Sequence, residues 1–189
     1  MEFIRKFLEQ SVTFTEEDWK LFSGKWRQQE FAKKSFILKA GITENYLSFI
    51  EKGIVRFYIP KDDGSELTFV FAFDGWFMSA YDSFLTQTPC PYHVETLTDT
   101  ILWRLSYADL QNVYSATILG NKIGRMASEQ LFLMKTKREL SFMQDSAQQR
   151  YLNLLAEQPH LIQNIPLQYL ASYIGITPQA LSRIRKRIS

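Results

Sequence analysis

Hydrophobic positions change period twice along this chain, which divides it into a short helical entry, a strand-rich stretch and a long helical remainder. Thr15-Glu16-Glu17-Asp18 reads as a capped helix start with acids in the first turn, and Trp19, Leu21, Phe22 and Trp26 give that segment apolar side chains to bury. From about Gln29 to Ser106 the pattern is that of strands, at residues 35–38, 46–50 and 54–59. The last of these joins residues 67–73 through Asp62-Asp63-Gly64, a hairpin signal. Leu67, Phe69, Phe71 and Phe73 alternate strictly, so they are expected to fill one face. Residues 92–97 and 100–105 close a set of short antiparallel strands with the spacing of a barrel or double-sheet roll.

Past Tyr107 the period becomes helical. Residues 118 to about 142 contain no proline, and Leu119, Ile123, Met126, Gln130, Leu133, Lys137 and Leu140 recur in alternating steps of four and three. That is a coiled-coil seam with two polar interruptions, and Leu131, Phe132 and Met134 widen it. The expected arrangement is a long helix that packs on the roll with one side and on its copy in a second subunit with the other. A helix buried wholly within one subunit is the alternative. Asp145 or Ser146 opens the next helix, which runs through Arg150, Tyr151, Leu152, Leu154 and Leu155 to Gln158-Pro159.

The final two dozen residues predict two short helices joined by a tight turn. Pro166 opens the first, which packs through Leu167, Leu170, Ala171 and Ile174, and Gly175 ends it. Thr177 caps the second, Pro178 stands at its first position, and Leu181, Ile184 and Ile188 face inward. Gln179, Ser182, Arg183 and Lys186 are left on the outer face, with Thr177 and Ala180 at its start and Arg185 and Arg187 on the flank. Gln can make two bonds to adenine and Arg two to guanine, while Lys or a hydroxyl holds phosphate or base edges. The alternative is a helical hairpin with a solvated basic end; four cations among the last seven residues, with no acid beside them, weigh against it.

Composition sharpens this reading. A chain of 189 residues, 46% hydrophobic and 15% aromatic, has enough material for a packed core and a small appended module. The net charge of +2 hides an asymmetry: residues 1–118 hold 12 Lys and Arg against 16 Asp and Glu, whereas residues 119–189 hold 10 against 4. An acidic sensor followed by a basic contact surface fits a nucleic-acid partner. One cysteine, Cys90, excludes an intramolecular disulfide and a multi-cysteine metal site, and a reducing cytoplasm is the expected location. The amino terminus lacks the pattern of a secretory signal, and the uncharged stretch from Gln158 to Ser182 is broken by three prolines, so no membrane span is expected.

A β-roll, a long helix and a terminal helix-turn-helix, in that order, resemble the Crp/Fnr family of bacterial transcription regulators. The specific matches are Lys52-Gly53-Ile54-Val55-Arg56, Asp63-Gly64-Ser65-Glu66 and Asp74-Gly75-Trp76-Phe77, which are similar to the glycine landmarks of a cyclic-nucleotide-binding roll. Gly175, Gln179 and Arg183 are similar to the turn and base-reading positions of the family's recognition helix. The resemblance implies an α+β fold: an antiparallel β-roll of the double-stranded β-helix or jelly-roll type with amino-terminal helices over residues 1–117, a dimerisation helix over 118–143 and a DNA-binding helix-turn-helix over 144–189. It implies a homodimer on a double-stranded DNA operator with two-fold symmetry, RNA polymerase as a further partner and an unidentified small-molecule effector.

For that effector, the departures from the family are informative. Members that bind cyclic AMP place a Gly-Glu pair at the start of a short helix in the roll and an Arg followed by Ser or Thr a little later; here those stretches read Phe77-Met78-Ser79-Ala80-Tyr81 and Pro89-Cys90-Pro91-Tyr92. From Asp62 through Trp103 there is no Lys or Arg, so the roll is expected to supply no cation of its own to a phosphodiester unless Lys122 or Arg125 reaches in. Cyclic nucleotide binding in the usual mode is therefore not expected, and no cofactor is assigned. Trp76, Phe77, Met78, Ser79, Ala80, Tyr81, Cys90, Pro91 and Tyr92 are expected to line an effector pocket, with aromatic core filling as the alternative.

A lone Cys90 cannot hold an iron–sulfur cluster, and His93 reads as a structural strand histidine rather than a haem ligand. With His93 and His160 as the only histidines, a cupin-like metal enzyme is disfavoured, and no phosphate loop, nucleophile elbow or metalloprotease helix is present. The expectation is a DNA-binding transcriptional regulator and not an enzyme. The alternative is a ligand-binding or protein-interaction module with no DNA target.

Overall fold

Helices α1 (Glu2–Glu9) and α2 (Glu16–Ser23) open the chain. Thr15 caps α2: its Oγ1 accepts from the Asp18 amide at 3.1 Å and its own amide donates to the Asp18 carboxylate at 3.2 Å, a capping box. Trp19, Phe22 and Trp26 are buried as expected, but Leu21 is 40% exposed, because it lies across the helix from Trp19 and Phe22. The computed structural model describes residues 1–188 and, for Ile118, the backbone alone.

Eight strands follow: β1 (Arg27–Phe31), β2 (Phe36–Leu38), β3 (Tyr46–Lys52), β4 (Val55–Pro60), β5 (Glu66–Ala72), β6 (Phe77–Met78), β7 (His93–Thr96) and β8 (Thr100–Ser106), with a short helix α3 (Tyr81–Thr86) between β6 and β7. They form two four-stranded sheets, ordered β1-β8-β3-β6 and β2-β7-β4-β5. In the first sheet β8 is central, pairing antiparallel with β1 (Arg27 opposite Arg104) and with β3 (Tyr46 opposite Ser106). This is the antiparallel roll that the sequence predicts, although β1, β6 and α3 are not foreseen. The Asp62-Asp63-Gly64 turn forms, with the Lys61 amide donating to the Ser65 carbonyl at 2.9 Å and the Asp63 carboxylate accepting from the Ser65 amide at 2.9 Å.

The single apolar face expected of β5 is not found. Thr68 and Ala72 are buried together with Phe71, whereas Leu67, Phe69 and Phe73 are half-buried. At the free edge of β5 lies Ser172, whose Oγ accepts from the Thr68 amide at 2.8 Å and donates to the Glu66 carbonyl at 2.6 Å. Residues on both faces of β5 are half-buried or buried, so period-two alternation no longer separates inside from outside.

Six helices complete the described chain: α4 (Tyr107–Ala116), α5 (Ile118–Gln144), α6 (Ala147–Glu157), α7 (Pro159–Asn164), α8 (Leu167–Tyr173) and α9 (Pro178–Ile188). Two compact units result, one of residues 1–57 with 71–130 and one of residues 58–70 with 131 onward. The core of the first gathers Ile4 and Leu8 of α1, Trp19 and Phe22 of α2, Phe49, Phe84, Leu105, Leu110, Val113, Leu119 and Ile123. In the second, Tyr151, Leu154, Leu161, Ile165, Leu170, Ala171, Ile174 and Leu181 are buried. Ser146 caps α6 by accepting from the Gln149 amide at 3.1 Å. No helix among the described residues is long and apolar enough to cross a membrane.

Candidate nucleic-acid interface

The helix-turn-helix forms where the sequence places it. Helix α8 ends because Gly175 adopts φ +77°; the Ile176 amide then donates to the Ala171 carbonyl at 3.0 Å and the Gly175 amide to the Ser172 carbonyl at 3.1 Å. This paired closure is a Schellman motif, which a residue with a Cβ enters only with strain. Thr177 Oγ1 then accepts from the Ala180 amide at 3.2 Å, and Pro178 occupies the first turn of α9.

Leu181 anchors α9, fully buried, and Ile184 is half-buried. Ile188 is 36% exposed and does not face inward as expected: it lies in the last turn of the helix, beyond the residues that bury Leu181. Thr177, Gln179, Arg183, Arg185, Lys186 and Arg187 are exposed; Ala180 and Ser182 are half-buried at the edge of the same face. Arg183, Lys186 and Arg187 make no ion pair among the described residues. Gln179, Arg183 and Lys186 follow one another at steps of four and three, so a single side of α9 carries a row of donors.

One partner of the turn has no local signal in the sequence. Arg150 on α6 donates from Nε to the Ile174 carbonyl at 2.9 Å and from Nη1 to the Asp145 carbonyl at 2.7 Å. It thus holds a carbonyl that the end of α8 leaves unpaired.

In the roll, the expected effector residues separate. Phe77 packs edge-on against Phe7 and Phe49, at centroid distances of 5.6 and 5.1 Å, and Met78, Ala80 and Cys90 are buried. Tyr81 stacks on Phe84, with its hydroxyl 3.2 Å from Ser128 Oγ, and the Tyr92 hydroxyl donates to the Asp82 carboxylate. Trp76 and Pro91 are exposed and Ser79 is half-buried, its hydroxyl donating to the Tyr46 carbonyl. Phe77 is half-buried and packs against the core of the first unit. His93 Nδ1 accepts from the Ala40 amide at 3.0 Å, the structural role expected of it.

The expectation that the roll has no cation of its own is corrected. Arg56 of β4 is 1% exposed and pairs with Glu95 of β7 at 3.1 Å. Arg104 of β8 pairs with the buried Glu44 at 3.5 Å, and its guanidinium lies 4.0 Å from the centroid of the Tyr46 ring. Both arginines lie outside the cation-free stretch in sequence, Arg56 on β4 of one sheet and Arg104 on β8 of the other. Lys122 and Arg125 do not reach inward: both are exposed, and Arg125 pairs with Glu129 at 3.6 Å on its own helix. No group of His, Cys, Asp and Glu able to hold a metal is found among the described residues.

Residues 28–117 match the cyclic nucleotide-binding domain family. No curated protein matches the chain by sequence. Among solved structures, the c-di-GMP-responsive global regulator CLP of Xanthomonas campestris is similar over 92% of this chain and 91% of its own, at 18% identity and a TM-score of 0.72. FixK2 of Bradyrhizobium japonicum is similar over 86% and 84%, at 15% identity and a TM-score of 0.76. A Crp/Fnr-family transcriptional regulator from Eubacterium rectale is similar over 93% and 83%, at 18% identity and a TM-score of 0.73. The chain has the fold of the Crp/Fnr regulators.

In this Crp/Fnr fold the seam expected along α5 divides. Leu119 and Ile123 are buried in the core of the first unit and Met126 packs against it, so they do not lie on an outward stripe. Gln130 is exposed, and Lys137 pairs with Glu157 of α6 at 2.6 Å. Leu133 and Leu140 are 66% and 46% exposed, and Phe132 and Met143, at 68% and 73%, lie near them. A heptad step identifies a face but not what covers it, and on this helix the cover changes after Met126.

Proposed function

We propose that this protein is a DNA-binding transcriptional regulator and not an enzyme, that it acts in the cytoplasm as a homodimer, and that its roll does not bind cyclic nucleotides in the usual mode. The observation that carries the reading is α9: a helix capped by Thr177 and anchored by Leu181 that exposes Gln179, Arg183 and Lys186 in one row. Gln179, Ser182 and Arg183 read base edges, and Arg185, Lys186 and Arg187 hold phosphates. Residues 1–117 serve as the sensor, 118–143 as the dimerisation helix and 144–189 as the DNA-binding domain. The exposed Leu133, Leu140, Phe132 and Met143 form the part of α5 that pairs with a second copy, since so much apolar surface on one helix is otherwise left in water. Pairing places two recognition helices about 34 Å apart, one turn of DNA, with RNA polymerase a further partner on the promoter.

Two observations support the view of the roll. The stretches at residues 77–81 and 89–92, where the resemblance would put a ribose-binding Glu and a phosphate-binding Arg, contain neither, and Arg56 and Arg104 already have acidic partners in Glu95 and Glu44. An entering phosphodiester would have to displace a carboxylate from one of them. Calorimetry with cyclic AMP, cyclic GMP and c-di-GMP should register no binding, and tight binding of any one of them overturns this part.

Fluorescence anisotropy with duplex oligonucleotides, repeated across salt concentrations, tests the DNA reading. Affinity should fall steeply as salt rises, by on the order of 10³-fold between 50 and 200 mM if about six phosphates are contacted. No binding at low ionic strength would leave a ligand-binding or protein-interaction module with no DNA target.

A further inference from the structure

We propose that Arg138 of α5 is a positioning residue for the DNA-reading helix, and that the β4–β5 hairpin is the lever through which that position is set. The proposal rests on the DNA-binding reading of α9. It starts from the carboxyl end of α8, where three separate segments of the chain meet. Arg138 Nη2 donates to the Tyr173 carbonyl at 2.8 Å and to the Thr68 carbonyl of β5 at 3.4 Å. Its guanidinium also lies over two aromatic rings, 4.1 Å from the centroid of Tyr173 and 4.7 Å from that of Phe142. Arg150 lies 4.6 Å from the same Phe142 ring and holds the next carbonyl, that of Ile174.

Phe142 thus carries two guanidiniums and presses against the turn itself, where a Cβ on Gly175 would lie 2.8 Å from its Cε1. On the other side Ser172 Oγ bonds both the Glu66 carbonyl and the Thr68 amide, so α8 continues the hydrogen bonding of the hairpin edge through one hydroxyl. Arg138 has no carboxylate partner among the described residues; two carbonyls, two ring faces and the Tyr173 side chain hold its charge. Burial pushes its pKa down from the ordinary value against the pull of Tyr173, and the neighbouring Arg150 charge adds to the lowering. A half-buried cation held in this way is a costly means of stabilising a fold, but a direct means of fixing a helix end, where the carbonyl dipoles are negative. The hairpin strands run on into the sheet β2-β7-β4-β5. A shift of Glu66 and Thr68 would be passed to α8 through Ser172 and Arg138, and α9 would follow through the Gly175 turn.

Hydrogen exchange and anisotropy on the full chain test this with three variants: Ser172→Ala, Arg138→Met and Arg138→Lys. Ser172→Ala and Arg138→Met should speed exchange of the amides in residues 173–181 by about tenfold, the loss of one net hydrogen bond, and Arg138→Lys should recover part of the protection by donating to the Tyr173 carbonyl. On duplexes whose half-site spacing is varied, Arg138→Met should flatten the dependence on spacing while leaving discrimination at the base read by Arg183 intact. Lower melting temperature with exchange and spacing dependence both unchanged means a purely structural role and overturns the proposal. If Arg138→Met does not fold, Ser172→Ala decides through exchange. If the unmodified protein binds no duplex, the DNA reading fails by itself and the exchange result still decides whether the hairpin and Arg138 hold the turn.

Discussion

Gly64 and Gly175 share one backbone conformation and differ in their surroundings, so replacing each with alanine separates the cost of the conformation from the cost of a contact. Both have φ +77° and both belong to the second compact unit. Around Gly64 a Cβ would meet nothing within 4 Å, whereas at Gly175 it would lie 2.8 Å from Cε1 and 3.5 Å from Cζ of Phe142. Left-handed backbone costs an L-residue about 1–2 kcal/mol, so Gly64→Ala should lose roughly that amount. Gly175→Ala adds an overpacked contact. Phe142 cannot swing aside freely because Arg138 and Arg150 both lie on it, and forcing a methyl into such a site costs about 1–3 kcal/mol more. The expected total is about 2–5 kcal/mol.

Urea unfolding of the two variants gives the totals, and native-state hydrogen exchange assigns the loss to α8 and α9, which matters because two units need not unfold together. Phe142→Leu in the Gly175→Ala background removes the ring edge and should recover most of the difference between the two glycine variants, as a double-mutant cycle measures. Equal losses at Gly64 and Gly175 would refute the contact argument. A loss at Gly175 that Phe142→Leu leaves unchanged would place the strain elsewhere in the turn.

Three further outcomes are expected. Arg183→Ala should cost about 1–3 kcal/mol of DNA affinity and relax preference at one base position; an equal loss on every sequence would reassign Arg183 to the phosphate backbone. Cys90 is buried, its Sγ 3.3 Å from the Tyr92 carbonyl, and burial pushes its thiol above the ordinary pKa. Alkylation in the folded protein should therefore run on the order of 100-fold slower than in urea, and rapid native labelling would instead mark an accessible redox site. Burial likewise raises the Glu44 carboxyl above its ordinary value of 4.5, against the pull of Arg104. The folded state then keeps a proton that the unfolded chain releases, so stability declines as pH rises from about 4.5 through the folded-state value; Glu44→Gln should flatten that decline in urea midpoints, and an unaltered slope counts against it.

The helix-turn-helix was legible because each of its cues is local. Pro166, Gly175, Thr177 and Pro178 fix the ends of two helices within a dozen residues, and Leu170, Ala171 and Leu181 at helical spacing supply the contact between them. The Asp63-Gly64 turn was legible for the same reason. What failed to show depends on partners far away in the chain. The alternation of β5 marks two faces, yet nothing near Thr68 reveals that Ser172, more than a hundred residues later, bonds the strand's edge. Strand β6 has two residues and α3 six, too few to display a period.

The interior charge of the roll shows the same limit and has the larger functional consequence. No Lys or Arg lies between Asp62 and Trp103, but that does not leave the roll without a cation of its own, because an antiparallel roll draws its inner surface from strands on both sides of that stretch. Arg56 enters from β4 and Arg104 from β8, each to meet an acid, Glu95 or Glu44, that also lies outside its own local sequence. The proposal that this roll does not bind cyclic nucleotides in the usual mode therefore rests on a different cause. Positive charge is present but already neutralised, and removing Glu95 or Glu44 from its arginine would leave a buried carboxylate without its partner. An anion entering this roll must outbid an intramolecular carboxylate that loses no translational freedom on binding, whereas a neutral effector faces no such competition.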